Sequence, residues 1–144
     1  MTRTAVGALS LILALCASGA CDGKPQAAGP AAAVKAQKGQ VLATNSLAVD
    51  FAAYKVTFIE LGADRCIPCK EMQPIMKAIA AEFPEDVQVV FYDVWKDAAP
   101  ARKYGIQLIP TQVFIGRDGK EIFRHVGLYP EDEILGMLKE KGIL

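Results

Sequence analysis

The residues best suited to chemistry are two cysteines three apart, in the run Cys66-Ile67-Pro68-Cys69. They fall where an apolar, β-branched stretch gives way, past Gly62, to a segment with helical periodicity. The first turn of a helix carries N–H groups without intrahelical partners and a partial positive charge, and both favour a thiolate. Cys66 is therefore expected to be an exposed nucleophile of low pKa. Cys69, one turn further on, is expected to attack a mixed disulfide formed on Cys66 and free the substrate thiol. Arg65 and Lys70 add positive charge beside the pair, which Asp64 partly offsets.

Other uses of such a pair are weaker. Structural zinc takes four ligands, and besides these cysteines the domain offers only His125. A purely structural bridge across so short a loop would constrain the unfolded chain little. Redox exchange is the favoured chemistry, with no metal or other cofactor expected.

That chemistry needs a scaffold, and the pattern supplies one. Val56 to Leu61 reads as a buried strand ended by Gly62. Cys69 to Phe83 places Met72, Ile75, Met76, Ile79, Ala80 and Phe83 on one helical face, with Pro74 expected to kink it. Val87 to Val94 is a second strong strand, and Ala98 to Tyr104 a short helix stopped at Gly105. Thr111 to Ile115 and Glu121 to Val126 form a hairpin through Arg117-Asp118-Gly119. An amphipathic helix from Pro130 to Lys141 closes the series. Val41 to Ala53 is ambiguous, a short strand or turn followed by one helical turn. The order predicts an α/β domain: a mixed central sheet with helices on both faces.

The whole chain has 144 residues, 52% of them hydrophobic, with 16 basic and 16 acidic side chains. That is one domain's length, and zero net charge argues against an electrostatic nucleic-acid binder. Part of the apolar content lies in residues 1–20, where Arg3 precedes a run from Ala5 to Ala17. The run is too short to span a bilayer core, which needs about 20 residues, and it fits a secretory signal. Ser18 and Ala20 supply the small residues that cleavage before Cys21 requires. Ser18-Gly19-Ala20-Cys21 resembles the lipobox of bacterial lipoproteins, departing at Ser18, where that motif usually has Leu. The resemblance implies a lipid on Cys21; an ordinary secreted protein that begins with Cys is the plainer alternative. Residues 21–44, rich in Ala, Gly, Pro, Lys and Gln, read as a flexible tether, and residues 45–144 as the folded domain.

From Val56 onward the chain resembles the thioredoxin superfamily. The resemblance is carried by Cys66-Ile67-Pro68-Cys69-Lys70, Pro74, Tyr104-Gly105-Ile106, Ile109-Pro110-Thr111, Asp118-Gly119 and Gly127. It implies a thioredoxin-like fold and a cis Pro110 packed against the cysteines. It also implies that the Ile109 backbone offers hydrogen bonds to an extended substrate, with Ile67 and Pro68 completing the substrate surface. Glu60 stands where the superfamily has a buried Asp. Burial there should raise its pKa, and the role implied is a general base that deprotonates Cys69. A partly solvated Glu at a strand end is the plainer alternative.

Departures narrow the resemblance. Arg65 replaces the Trp before the first Cys, Ile67 replaces Gly, and Phe91 replaces the Lys that pairs with the buried acid. With the signal and tether, these make the chain similar to the extracytoplasmic thioredoxin-like reductases of bacteria. The activity implied is reduction of disulfides in secreted or periplasmic proteins, fed by a membrane thiol-transfer donor. An oxidase or isomerase of the same fold is the alternative direction. Copper delivery through Cys66, Cys69 and a His is the alternative of a different class. Trp95 is expected at the rim, and His125 as an ordinary strand residue.

Overall fold

The computed structural model describes residues 32–144. The signal segment and Cys21 lie outside the described residues. Eight elements follow in order: β1 (Val41–Ala43), β2 (Val56–Gly62), α1 (Ile67–Glu82), β3 (Val87–Asp93), α2 (Ala99–Tyr104), β4 (Thr111–Gly116), β5 (Glu121–Val126) and α3 (Glu131–Glu140). The sheet order is β1-β3-β2-β4-β5. β1, β3 and β2 run parallel, whereas β4 is antiparallel to both β2 and β5. The expected mixed sheet is present, and strand and helix bounds agree with the pattern to within about two residues, as is usual for element ends.

Strand alternation sorts the core into two layers. Val56, Phe58, Val89, Phe91 and Phe114 point to the face covered by α1 and α3. Ile59, Leu61, Val90, Tyr92, Val113 and Ile115 point to the other, where Tyr104 at the end of α2 packs. Phe58 and Phe114, opposite each other on β2 and β4, stack with ring centroids 4.8 Å apart. Every residue of β2 and β3 is buried, as central strands covered on both faces should be. Pro74 lies inside α1 without ending it. Gly105 ends α2 in a left-handed conformation (φ 62°), where its N–H closes onto Ala101 and Arg102.

The segment expected to be the last part of the tether is instead docked on the domain. Val34 forms a parallel bridge with Val49, donating to Ala48 O at 2.7 Å and accepting from Asp50 N at 2.8 Å. Ala36 is buried, its N–H bound to Gln88 Oε1 at 2.7 Å and its carbonyl to the Tyr54 hydroxyl at 3.0 Å. Lys38 pairs with Glu85, and Val41 to Ala43 then add a strand at the β3 edge. Backbone pairing, rather than an apolar period, orders this stretch, and the ordered domain starts about ten residues before position 45. The helical turn expected before Ala53 is also absent; Ala52 and Ala53 form a turn outside any helix.

Candidate active site

β2 delivers the chain to the site. Past Gly62, Ala63 and two exposed charged residues, Cys66 becomes the N-cap of α1. Its Sγ accepts a hydrogen bond from Cys69 N–H at 3.4 Å, which satisfies one of the donors a helix start leaves free. Cys66 and Cys69 are joined as a disulfide. Cys66 is 9% exposed and Cys69 fully buried. Cys66, the expected nucleophile, is thus less open than anticipated, although it remains the more accessible member of the pair. Ile67 beside it is 73% exposed, and Pro68 is also exposed in the first turn of α1.

The loop before β4 faces this pair. The Ile109–Pro110 bond is cis, Pro110 is buried, and Ile109 packs against the cluster of Ala63, Cys66 and Cys69. Pro110 O accepts from Gly127 N–H at 2.8 Å, which fixes the loop to the end of β5. Ile109 itself enters none of the backbone hydrogen bonds among the described residues, so its amide and carbonyl stay free for an extended partner. Leu108, 66% exposed, extends the apolar rim past Ile109.

Glu60 lies on the α1 face of β2 and is wholly buried, which removes the partly solvated alternative. Its register partners are Phe91 on β3 and Gln112 on β4. Phe91 brings no charge, so no cation compensates the acid. Burial pushes the Glu60 carboxyl up to about 8, and a hydrogen bond from Gln112 opposes that shift. Gln112 Nε2 donates to Glu60 Oε2 at 2.9 Å and to Gly127 O at 3.1 Å. Glu60 Oε1 and Gln112 Oε1 are buried with no partner. A carboxyl titrating near neutral pH, with one free oxygen, can both take and return a proton.

Gln112 and Gly62 are the site residues that sequence reasoning missed. The signal for Gln112 was present: a lone amide in the apolar strand Thr111-Gln-Val-Phe-Ile, in phase with Phe114. Trp95 is 63% exposed at the rim, where Asp64, Arg65, Asp93 and Lys96 line the same open pocket of about 420 Å³. Lys96 pairs with both Asp64 and Asp93. His125 sits on β5 with its ring stacked on Tyr129 at 4.2 Å, away from the cysteines in role.

A dithiol at a helix start, faced by a cis-proline loop and backed by a buried acid, defines a protein built for thiol–disulfide exchange. Comparison with known proteins agrees. The family model described as Thioredoxin matches residues 40–140. The thioredoxin of Chlamydia trachomatis serovar D is 34% identical over 101 residues, 70% of this chain and 96% of that protein. That of Chlamydia muridarum is 32% identical over the same shares. Among solved structures, a point-mutant thioredoxin from Halobacterium salinarum aligns with a TM-score of 0.65 at 25% identity, covering 74% of this chain and 95% of that one. Thioredoxin NaTrxh from Nicotiana alata aligns at 0.62 with 26% identity, over 74% and 96%. The chain belongs to the thioredoxin family and is a disulfide oxidoreductase of the Cys-x-x-Cys type.

Proposed function

We propose that the protein is an extracytoplasmic reductase of protein disulfides, held at a membrane through a lipid on Cys21. The Cys66 thiolate attacks a substrate disulfide and forms a mixed disulfide, releasing one substrate thiolate. Glu60 takes the proton of Cys69, whose thiolate then attacks Cys66 Sγ. The second substrate thiolate leaves and is protonated, and the enzyme ends as the Cys66–Cys69 disulfide. Two electrons pass from the dithiol to the substrate, so each turnover needs a thiol donor to restore it. In an oxidising compartment that donor is a membrane thiol-transfer protein.

The observation that carries the reducing direction is the modest support for sulfur at Cys66. One backbone N–H reaches its Sγ among the described residues. Strong oxidants in this chemistry owe their potential to a well-stabilised reduced form, whereas Ile67 and Pro68, the two residues between the cysteines, bring no side-chain charge or donor to a Cys66 thiolate. Pro68 and Ile109, with Ile67 and Pro110, leave an apolar, backbone-reading surface suited to extended peptides rather than to one small disulfide. Compartment and anchoring rest on the sequence of residues 1–21 alone.

The deciding experiment is the reduction potential of the Cys66–Cys69 pair in defined dithiol buffers. A value at or below roughly −250 mV is expected. A value of roughly −120 to −180 mV would make the protein an oxidase or isomerase. For the anchor, Cys21→Ala is expected to release the protein from the membrane fraction.

A further inference from the structure

Gly62 has no conformational reason to be glycine. It closes a fully buried strand, its φ lies outside the left-handed region, and glycine in a strand interior costs stability. The reason is space. A Cβ placed there would lie 3.2 Å from Cys69 Cβ, 3.3 Å from Cys69 Sγ and 3.3 Å from Glu60 Oε1. These are the three nearest atoms, and each is closer than ordinary van der Waals contact allows. The oxygen among them is the one Gln112 does not hold, buried and without a partner. One small gap is thus bordered by the free oxygen of the site's acid and by the sulfur of its second cysteine.

We propose that Gly62 is a positioning residue for proton transfer at Cys69, its missing side chain keeping Glu60 Oε1 and Cys69 Sγ at a shared gap. Gln112 supplies the other half of the arrangement, because holding Oε2 turns Oε1 toward that gap. The point that a Cβ would occupy lies 3.3 Å from both, so the two atoms face the same side of Gly62 with no side chain between them, open to approach each other or to share one water. In the reductive direction the proton leaves Cys69 Sγ for Glu60 Oε1 as the S–S bond to Cys66 forms and the substrate thiolate departs. When the enzyme is re-reduced, the proton returns from Glu60 to the leaving Cys69 thiolate.

The other titratable groups nearby are already committed. From β3, Asp93 is in register with Gly62, but it is tied to Lys96 and to the N–H groups of Asp64, Trp95 and Lys96. From β5, His125 is in register with Gln112, but its Nε2 lies 3.2 Å from Leu128 O. α1 contributes Cys69 itself. The proposal rests on Glu60 acting as the base, and its test separates the two.

The measurement is the decay of the Cys66–glutathione mixed disulfide, by rapid quench after mixing reduced protein with glutathione disulfide between pH 6 and 9. In the unaltered protein, decay is expected to accelerate as pH rises through about 8, where Glu60 ionises. Gly62→Ala is expected to slow it about tenfold near pH 8 and flatten that rise, as Glu60→Gln does. The double variant is expected to be no slower than Glu60→Gln alone. Equal slowing by Gly62→Ala at every pH, or multiplied effects in the double variant, would make Gly62 a packing residue only. A normal pH profile in Glu60→Gln would sink the general-base reading, and the role of Gly62 with it. If Gly62→Ala does not fold, infrared titration of the Glu60 carboxyl in the unaltered protein decides. Groups that share a gap titrate as a coupled pair, so the midpoint should differ between oxidised and reduced protein; the same midpoint in both overturns the proposal.

Discussion

Two glutamines are buried in this sheet, and their surroundings could hardly differ more. Gln88, on β3, is closed: its amide nitrogen donates to Asp50 O at 3.1 Å and to Thr57 Oγ1 at 3.0 Å, and its oxygen accepts from Ala36 N–H. Gln112, on β4, is open: both donors are used, but its oxygen and the neighbouring Glu60 Oε1 have no partner. Buried polar groups are ordinarily satisfied, so an open pair is destabilising and is retained for a reason other than stability. The closed centre pins a strand edge and the docked N-terminal segment. The open one sits beside Cys69. Of the three unpartnered buried side-chain oxygens among the described residues, two lie here at the redox site, and the third is the Tyr104 hydroxyl on the other face of the sheet.

The largest effect should come from the open end. Cys66→Ser is expected to drop insulin-disulfide reduction to the uncatalysed rate, and Cys69→Ser to trap the mixed disulfide, visible as an adduct by mass. Neither should alter the circular-dichroism spectrum, since both changes leave the packing intact.

Glu60→Gln comes next, and its effect on stability has a definite sign. An acid raised from the usual carboxylate range to about 8 keeps its proton in the folded protein at pH values where the unfolded chain has lost it. Folding stability therefore falls as pH rises from about 4.5 to about 8, then stays level with respect to this group. The slope amounts to roughly 3 kcal/mol between pH 5 and 7. Glu60→Gln is expected to flatten it, measured by urea denaturation across that range. A slope unchanged by the substitution would show that Glu60 ionises normally.

Gln88→Leu is expected to cost about 2 kcal/mol, because it strands the Ala36 N–H and the Thr57 hydroxyl. Its disulfide-exchange rate at saturating reductant should not change. Loss of activity in the folded variant would dissolve the contrast between the two centres. Gln112→Leu should cost somewhat less, about 1 to 2 kcal/mol, since it strands Glu60 Oε2 and Gly127 O but also removes an unpaired oxygen. It should nevertheless move the pH inflection of the resolving step upward, because the hydrogen bond that restrains the Glu60 shift is gone.

Much of the molecule is legible in its sequence, for reasons that also mark the boundary. The unbroken apolar runs of β2 and β3 and the helical phase of Met72, Met76 and Ile79 state their structure locally. So do Cys66 and Cys69, whose chemistry depends on spacing within one turn. The docked stretch from Val34 to Ala43 has no such phase; its order comes from Gln88 and Tyr54, 52 and 18 residues away from Ala36. Glu60 was readable as a candidate, but its partner was not. Which residue of β4 faces it is set by strand register, and shifting that register by one residue would put Thr111 or Val113 in place of Gln112. The role of Gly62 needed more still, the approach of α1 to β2 at the scale of a single methyl group.

The chain has one tryptophan, and it lies on the rim rather than in the core. Trp95 already meets solvent in the native protein, so its fluorescence maximum should shift little when the domain unfolds. A denaturation curve read from that signal would understate the transition, and the buried aromatic cluster of Phe58, Phe114 and Tyr129 would report it better in near-ultraviolet circular dichroism. The same exposure makes the indole a sensitive reporter of association. It shares a pocket with Arg65, the residue just before Cys66, so any protein that settles over the disulfide should change the polarity around it. Docking of a candidate substrate or electron donor could thus be followed optically, with no label added, on a signal that folding barely disturbs.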